Sequence, residues 1–301
     1  MLLGRHPDIA ALGEVHRFSM SVYRESKPHM CTCGEIIPEC KFWQPVVNDL
    51  ELKGKSILTT SPKNSLIPDN EKGDNIVELL PENSIFKNID ILNIFLLLRS
   101  KKIINFFSQY IKELRFGRKI FSDSWWLYSK VCNIHSKKVV VDGTKSPGRF
   151  MGLSLYNNEK RKIKVLYLCR DGRAVSFARM KRQGLTMEVA AKAWLLEHKK
   201  IQFALGRYPC DVMYVRYEDV CLKTESILEE IFHFIGVDSD LLIDKDFRCE
   251  SHSLGGNPMR WRHAEKRIDL NNKWVGQISD HERAVFDSIA KDMNCKLGYR
   301  D

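Results

Sequence analysis

The 301 residues carry a formal net charge of +10, and 44% of them are hydrophobic, which is enough to fill a core and excludes a disordered chain. The longest apolar run, residues 91–98, is broken at Asn93 and is too short to cross a bilayer. No secretory signal is visible either, so we expect a cytoplasmic protein without an integral membrane segment. The positive net charge suits a polyanionic partner.

A group of cysteines lies near the start of the chain. The nine cysteines are an odd number and are scattered, which argues against a disulfide framework. Cys31, Cys33 and Cys40 nevertheless lie close together in sequence, with His29 nearby. Such a Cys3His set can bind zinc, but its spacing is unlike that of common zinc folds. We therefore favour a cysteine-rich loop that packs on the aromatic pair at 42–43, and we predict no metal.

Residues 45 to 130 show a less regular pattern, rich in Lys, Phe and Trp, and we predict a helical segment there that covers an acceptor site. After it, three short β-branched runs predict strands at Lys138–Asp142, Lys164–Cys169 and Val212–Tyr217. Nearly unbroken apolar strands of this kind are typical of a parallel sheet that is covered on both faces.

Helical patterns follow these strands. They span Met187–Leu205, Thr224–Phe234 and Ser279–Met293, with Thr224 and Ser279 as predicted N-caps. Strands that alternate with helices indicate a doubly wound α/β sheet.

Ligands of such sheets bind at the carboxyl ends of the strands. Lys145 follows the first predicted strand, Arg170 follows the second, and Glu218 follows the third. Two cations at one edge, with a helix N-terminus after Arg173, favour a phosphate or sulfate ligand. Ion-paired surface charges are the alternative.

Five segments, in the same order along the chain, resemble motifs of sulfotransferases that use 3′-phosphoadenosine 5′-phosphosulfate (PAPS). They are His6–Glu14 (HPDIAALGE), Val141–Pro147 (VDGTKSP), Leu166–Met180 (LYLCRDGRAVSFARM), Val215–Asp219 (VRYED) and Arg267–Gly298. The resemblance implies a single α/β domain over residues 1–301, with a three-layer, P-loop-like parallel sheet flanked by helices. It also implies PAPS as co-substrate and no metal.

The resemblance assigns the catalytic roles. Sulfuryl transfer to a hydroxyl or amine needs a base for the acceptor's proton and a cation for the charge on the leaving phosphate. By resemblance Glu14 is the base, with a pKa raised by the polyanionic donor, and Lys145 is the cation. His16 is the alternative base, because histidine titrates near neutral pH.

The resemblance also assigns the nucleotide-binding residues. Arg170 pairs with the 3′-phosphate, Arg182 and Arg267 reach phosphate from other sides, and Tyr217 packs near the adenine or is simply a core tyrosine. Ser176 remains a candidate ligand only if its helix begins differently, because the serine of the family motif is Ala178 here. Two residues of helix turn Ser176 about 200° away from Ala178.

A second departure concerns the N-terminus. The family's first strand and its 5′-phosphosulfate loop have no counterpart before Met1, so we expect weak or no transfer. A non-catalytic nucleotide-binding or interaction protein derived from this fold is therefore an alternative. We expect no nucleic-acid partner, because zinc-finger spacing, a basic helix and an aromatic RNA motif are all missing. The acceptor can be a carbohydrate, a peptide, a lipid or a small metabolite.

Overall fold

The structure is a computed structural model that describes residues 2–23, 30–59, 112–157, 161–241, 251–255 and 268–300. These residues belong to two compact units. The first contains residues 1–161 and 240–266, and the second contains residues 162–239 and 267–301. Each unit has its own hydrophobic core, and the single domain over 1–301 stays a prediction.

The first unit is built on a pair of parallel strands. Its elements are a 3-10 helix Leu2–Arg5, β1 Ile9–Gly13, a 3-10 helix Val15–Arg17, α1 Phe18–Tyr23, α2 Gln44–Leu52, α3 Lys112–His135, β2 Val139–Asp142 and α4 Pro147–Leu155. Ile9 lies opposite Val139, and Gly13 lies opposite Asp142. The carboxyl ends of β1 and β2 therefore meet at one edge.

The core of this unit forms around Trp43, which is fully buried and contacts Phe18 at a ring distance of 5.3 Å. Leu50 of α2 and Leu127 of α3 belong to the same core. The helices α2 and α3 confirm helix at both ends of the segment predicted over 45–130, while residues 60–111 lie outside the described part of the chain.

Gly13 ends β1 where a second backbone segment passes very close. Leu254 N–H donates to Leu12 O at 2.8 Å, and Glu14 N–H donates to Leu254 O at 2.7 Å. Gly13 has φ +72°, and a Cβ added there would lie 2.3 Å from Leu254 O. Only glycine fits this position, because any side chain both strains the backbone and pushes Leu254 away.

We expect Gly13→Ala to lower the free energy of unfolding by about 2–4 kcal/mol, from left-handed strain and the loss of two hydrogen bonds. Gly54→Ala is the matched control, because Gly54 has φ +55° but nothing within 4 Å of an added Cβ. The control should lose only about 1 kcal/mol, the cost of strain alone. Equal losses in urea unfolding of the two variants would contradict the close approach of Leu254.

The second unit also contains a parallel strand pair. Its elements are β3 Lys164–Cys169, α5 Gly172–Gln183, α6 Met187–Arg207, β4 Asp211–Arg216, α7 Tyr217–Leu222, α8 Thr224–Ile235 and α9 Asp280–Lys296, with a 3-10 helix at Ser239–Leu241 following α8 in sequence. Lys164 lies opposite Asp211 and Cys169 opposite Arg216. The core contains Trp194 and Phe286, whose rings are 5.7 Å apart.

The helix predictions are largely confirmed. Helix α6 spans the segment predicted from Met187, and Ser279 caps α9 with a capping box completed by Glu282. The Thr224 cap was wrong: Thr224 lies inside α8, and its hydroxyl donates to Val220 O at 2.7 Å. The N-cap position is held by Lys223, and no side chain makes a capping hydrogen bond there.

The sheet prediction is confirmed only as far as a mixed α/β fold with parallel strands. Among the described residues the strands form two sheets of two strands each. The prediction that both sheet faces are buried was wrong at Leu168 and Tyr214, which are 60% and 58% exposed. The three-layer, P-loop-like sheet thus stays a prediction. No described helix has the length and apolar character needed to span a membrane.

Candidate functional site

The two residues predicted to be catalytic contact each other in the first unit. Glu14 directly follows β1, and Lys145 follows β2 by three residues. Because these parallel strands end at the same edge, Lys145 Nζ reaches Glu14 Oε1 at 2.9 Å. The two candidates, 131 residues apart, form one acid–cation pair.

Glu14 lies between two cations. Arg17 Nε donates to its second oxygen at 2.8 Å, and the Glu14 side chain is mostly buried while that of Lys145 is exposed. Burial alone would raise the pKa of Glu14, but the Lys145 hydrogen bond and the charges of Lys145, Arg17 and His16 outweigh it and lower its pKa. The expected rise beside a polyanion is thus opposed by the protein neighbours, which keep the carboxylate ionised at neutral pH.

The loop that carries Lys145 is fixed at both ends. Asp142 Oδ1, at the end of β2, accepts the Thr144 N–H at 2.9 Å. Ser146 caps α4 by accepting the Arg149 N–H at 3.3 Å. Lys145 therefore projects from a short loop whose ends are anchored, although its own side chain is exposed.

Beneath this loop lies a buried charge pair that the sequence did not reveal. Arg149 Nε donates to Asp142 Oδ2 at 2.6 Å, and Arg149 Nη2 donates to the Ser124 hydroxyl at 3.1 Å. The Tyr128 hydroxyl donates to Asp142 Oδ2 at 2.5 Å and accepts from Arg149 Nη2 at 2.8 Å. Burial favours the neutral Asp142, yet the Arg149 charge and the Tyr128 hydrogen bond outweigh it and lower its pKa.

The alternative base also faces this loop. His16 Nδ1 lies 3.3 Å from the Thr144 hydroxyl, and the Thr59 hydroxyl donates to the His16 carbonyl at 3.1 Å. The first unit therefore places both candidate bases, Glu14 and His16, beside the loop of Lys145.

In the second unit, Arg170 and Tyr217 come together at the ends of β3 and β4. The Arg170 guanidinium lies over the Tyr217 ring at 4.6 Å, and its Nη2 donates to Asn271 O at 2.8 Å. Its buried Nε has no hydrogen-bond partner in the described part of the chain. Burial raises the pKa of Tyr217, and this residue begins α7 rather than ending a strand.

The N-terminus of α5 is already occupied by protein groups. Gly172 N–H donates to Asn294 Oδ1 at 2.8 Å, and Arg173 N–H donates to Asp171 Oδ1 at 2.9 Å. The carboxylate of Asp171 thus stands where an anion would bind. The sequence predicted ligand donors at a helix N-terminus after Arg173, whereas the helix begins at Gly172, and the amides of Gly172 and Arg173 are bonded to protein groups. Glu218, at the third strand end, accepts the Asp171 N–H at 3.3 Å.

The predicted ligands on α5 lie on different sides. Ser176 is fully buried, and its hydroxyl has no partner among the described residues, whereas Ala178 and Arg182 are exposed. The structure therefore does not bring Ser176 to the exposed side that carries Arg182, as the helical rotation predicts. Arg267 lies outside the described residues.

A cluster of three cysteines and a histidine lies in the first unit, whereas the residues predicted to bind the nucleotide belong to the second. Cys31, Cys33 and Cys40 come together as the sequence suggested, and Cys31 and Cys40 pack in the core with Trp43. The histidine that joins them is His252, whereas His29 lies outside the described residues. Sequence spacing gave no signal for His252, because it is 212 residues beyond Cys40.

No protein-family model matches this chain, and a search of curated proteins found no match either. The candidate residues therefore rest on their chemistry, on their geometry and on the motif resemblance.

Proposed function

We propose that this chain is a sulfotransferase that moves a sulfuryl group from PAPS to a hydroxyl or amine acceptor. The observation that carries the proposal is the 2.9 Å contact between Glu14 and Lys145, the two residues to which the motif resemblance assigns the roles of base and cation. The two residues are 131 positions apart in sequence, and they meet because each follows a strand that ends at the same sheet edge. Ligands of parallel sheets usually bind at that edge.

The reaction forms a bond from the acceptor oxygen or nitrogen to sulfur and breaks the bond from sulfur to the phosphate oxygen. Glu14, ionised at neutral pH, takes the acceptor's proton, and Lys145 offsets charge on the departing phosphate. When Lys145 turns to that phosphate, Glu14 loses the hydrogen bond that lowers its pKa. Its basicity then rises at the stage when the acceptor must lose its proton.

Arg170 has the features that a phosphate ligand requires. Its guanidinium is held by Tyr217 and Asn271, so it loses little conformational freedom on binding. Among the described residues its Nε, which is buried, has no hydrogen-bond partner and can donate to an anion that reaches it. A planar guanidinium can hold phosphate through two parallel hydrogen bonds, which a lysine cannot do.

We expect Arg170→Ala to weaken binding of 3′-phosphoadenosine 5′-phosphate by about 10- to 100-fold in calorimetry, the loss of charge-assisted hydrogen bonds. Arg170→Lys should recover only a small part of the lost affinity, because a lysine cannot form two parallel hydrogen bonds to the phosphate. Arg300→Ala is the control, since Arg300 is an exposed arginine of the same unit. Unchanged affinity in Arg170→Ala would exclude this placement of the 3′-phosphate.

The alternative, a non-catalytic nucleotide-binding or interaction protein, is favoured by Ala178 and by the occupied N-terminus of α5. The two functions differ in a transfer assay that follows labelled sulfate from PAPS to an acceptor mixture. Nucleotide binding without any transfer supports the alternative, whereas transfer that depends on Glu14 supports the enzyme.

A further inference from the structure

The four side chains of the cysteine cluster converge on one point in the first unit. One ligand atom from each of Cys31, Cys33, Cys40 and His252 lies within 4.8 Å of all the others. Cys33 Sγ is 3.6 Å from Cys40 Sγ, and His252 Nδ1 is 3.8 Å from Cys31 Sγ and 3.3 Å from Cys40 Sγ. Nothing in the sulfotransferase chemistry uses this cluster.

These separations match the edges of a zinc tetrahedron. Zinc binds thiolate sulfur at about 2.3 Å and imidazole nitrogen at about 2.0–2.1 Å, so tetrahedral ligands lie about 3.8 Å apart for two sulfurs and about 3.6 Å for sulfur and nitrogen. A disulfide instead needs sulfurs at about 2.05 Å. At 3.6 Å, Cys33 and Cys40 are thus spaced as co-ligands and are not bonded to each other.

Burial raises the pKa of the Cys31 and Cys40 thiols, and nearby backbone N–H groups oppose part of that rise. The Cys33 N–H lies beside the Cys31 sulfur and the Phe42 N–H beside the Cys40 sulfur, whereas the Trp43 N–H donates to the Cys40 carbonyl at 2.9 Å. Hydrogen bonds to a sulfur stabilise its charged form, which is the form that binds metal. These donors come from the tight turn at Cys31–Gly34 and from the start of α2, so they are fixed by local structure.

His252 is held in place independently of the sulfurs. Its ring stacks on Phe42 with centroids 5.4 Å apart and planes inclined by 3°, and its carbonyl accepts the Trp43 indole N–H at 3.2 Å. The residues on both sides of it bond to Thr32, which lies between the first two cysteines: Ser253 N–H donates to the Thr32 hydroxyl at 2.8 Å, and Thr32 donates to Ser251 O. Such outer contacts orient metal ligands.

We propose that Cys31, Cys33, Cys40 and His252 bind one structural zinc ion. Three thiolates and one imidazole are donors that select zinc over magnesium or calcium. Four protein ligands leave no open position, which is typical of structural zinc and not of catalytic zinc. A pocket of about 310 Å³ lined by Phe42, His135 and His252 lies beside the histidine of the cluster.

The zinc ion ties two distant parts of the chain together beside the candidate base. It joins the loop 31–40 to the segment 251–255, whose Leu254 hydrogen-bonds on both sides of Gly13. The amide of Glu14 is one of those partners. The metal therefore stabilises the backbone that positions Glu14, without taking part in the transfer.

The first test is elemental analysis of the full chain, purified under reducing conditions without chelator and then dialysed. We expect one equivalent of zinc, and cobalt in its place should give the charge-transfer absorption of cobalt–thiolate bonds. Cys33→Ser and His252→Ala should each weaken zinc affinity by more than about 100-fold, because each removes a direct ligand. Cys210→Ser and His233→Ala are matched controls outside the cluster and should retain full zinc content.

A second measurement needs no variant and so does not depend on how the variants fold. A high-affinity chelator should remove zinc from the wild-type chain and lower its melting temperature, and added zinc should restore both. The proposal fails if the reduced wild-type chain takes up neither zinc nor cobalt, or if Cys33→Ser and His252→Ala bind zinc as tightly as the controls. Nucleotide binding at Arg170 is a separate readout, so this failure leaves the proposed sulfotransferase function untouched.

Discussion

Arg149→Met is expected to lower the free energy of unfolding by about 3–5 kcal/mol, because it leaves the Asp142 carboxylate buried without its cation. The methionine retains much of the volume, so little of the loss comes from a cavity. The Ser124 and Tyr128 hydroxyls also lose a donor. Urea unfolding followed by fluorescence and circular dichroism measures the change.

Two comparisons separate the charge effect from packing. The double variant Arg149→Met/Asp142→Asn should recover part of the loss, because the unpaired charge is gone. Arg179→Met removes an exposed pair with Glu197 and should change stability by less than about 1 kcal/mol. If the double variant is no more stable than Arg149→Met, the loss of stability is not caused by the unpaired charge of Asp142.

The same pair predicts a pH dependence. The pKa of Asp142 is lowered in the folded state, so its contribution is complete above the ordinary aspartate pKa of about 3.9 and is lost as the pH falls through the folded value. The stability difference between the wild type and Arg149→Met should therefore shrink in acid. A difference that stays constant to low pH would contradict an ionised Asp142.

Glu14→Gln is expected to lower the rate of sulfuryl transfer by about 10²–10⁴-fold, the usual contribution of a general base. The amide keeps the shape of the side chain but cannot accept the acceptor's proton. Affinity for 3′-phosphoadenosine 5′-phosphate should change far less, because the nucleotide is assigned to Arg170. Glu39→Gln, at an exposed position of the same unit, is the control and should transfer at the wild-type rate.

The pH profile distinguishes the two candidate bases. Because the pKa of Glu14 is lowered in the free protein, a Glu14 base stays ionised there, and kcat/KM for transfer should not decline between about pH 7 and 5. A histidine base would give a decline near its ordinary pKa of about 6.5. A decline in that range that disappears in His16→Gln would assign the proton transfer to His16 and overturn the role given to Glu14.

Local sequence patterns predicted the elements whose signals are local. The run KVLYLC gave β3, and the serine followed three residues later by Glu282 gave the start of α9. By contrast, β1 is only five residues long, two of them alanine, and its pairing with β2 depends on contacts about 130 residues away. Short strands of this kind have no periodicity that a sequence reading can detect.

The candidate site divides in the same way. Lys145 and Arg170 were predictable because each follows a strong strand signal, and Glu14 was found through the motif resemblance. Arg149 was missed because nothing in Pro147–Phe150 indicates that this arginine turns inward to Asp142. His252 was missed because its role depends on a backbone approach that no sequence pattern records. Long-range partners such as these are set by tertiary structure.

The Ser253 hydroxyl donates a hydrogen bond to Ala11 O, which is 242 positions earlier in the chain. This hydrogen bond lies next to the place where Leu254 approaches Gly13. At about 5–20 residues per second, the ribosome delivers Ser253 roughly 10–50 s after Ala11. During that time the backbone before Glu14 lacks its hydrogen bonds to the segment 251–255. Cys31, Cys33 and Cys40 lack the fourth residue of their cluster, His252, for a similar time. The geometry around the candidate base is thus completed late in synthesis, although most of its residues are made early.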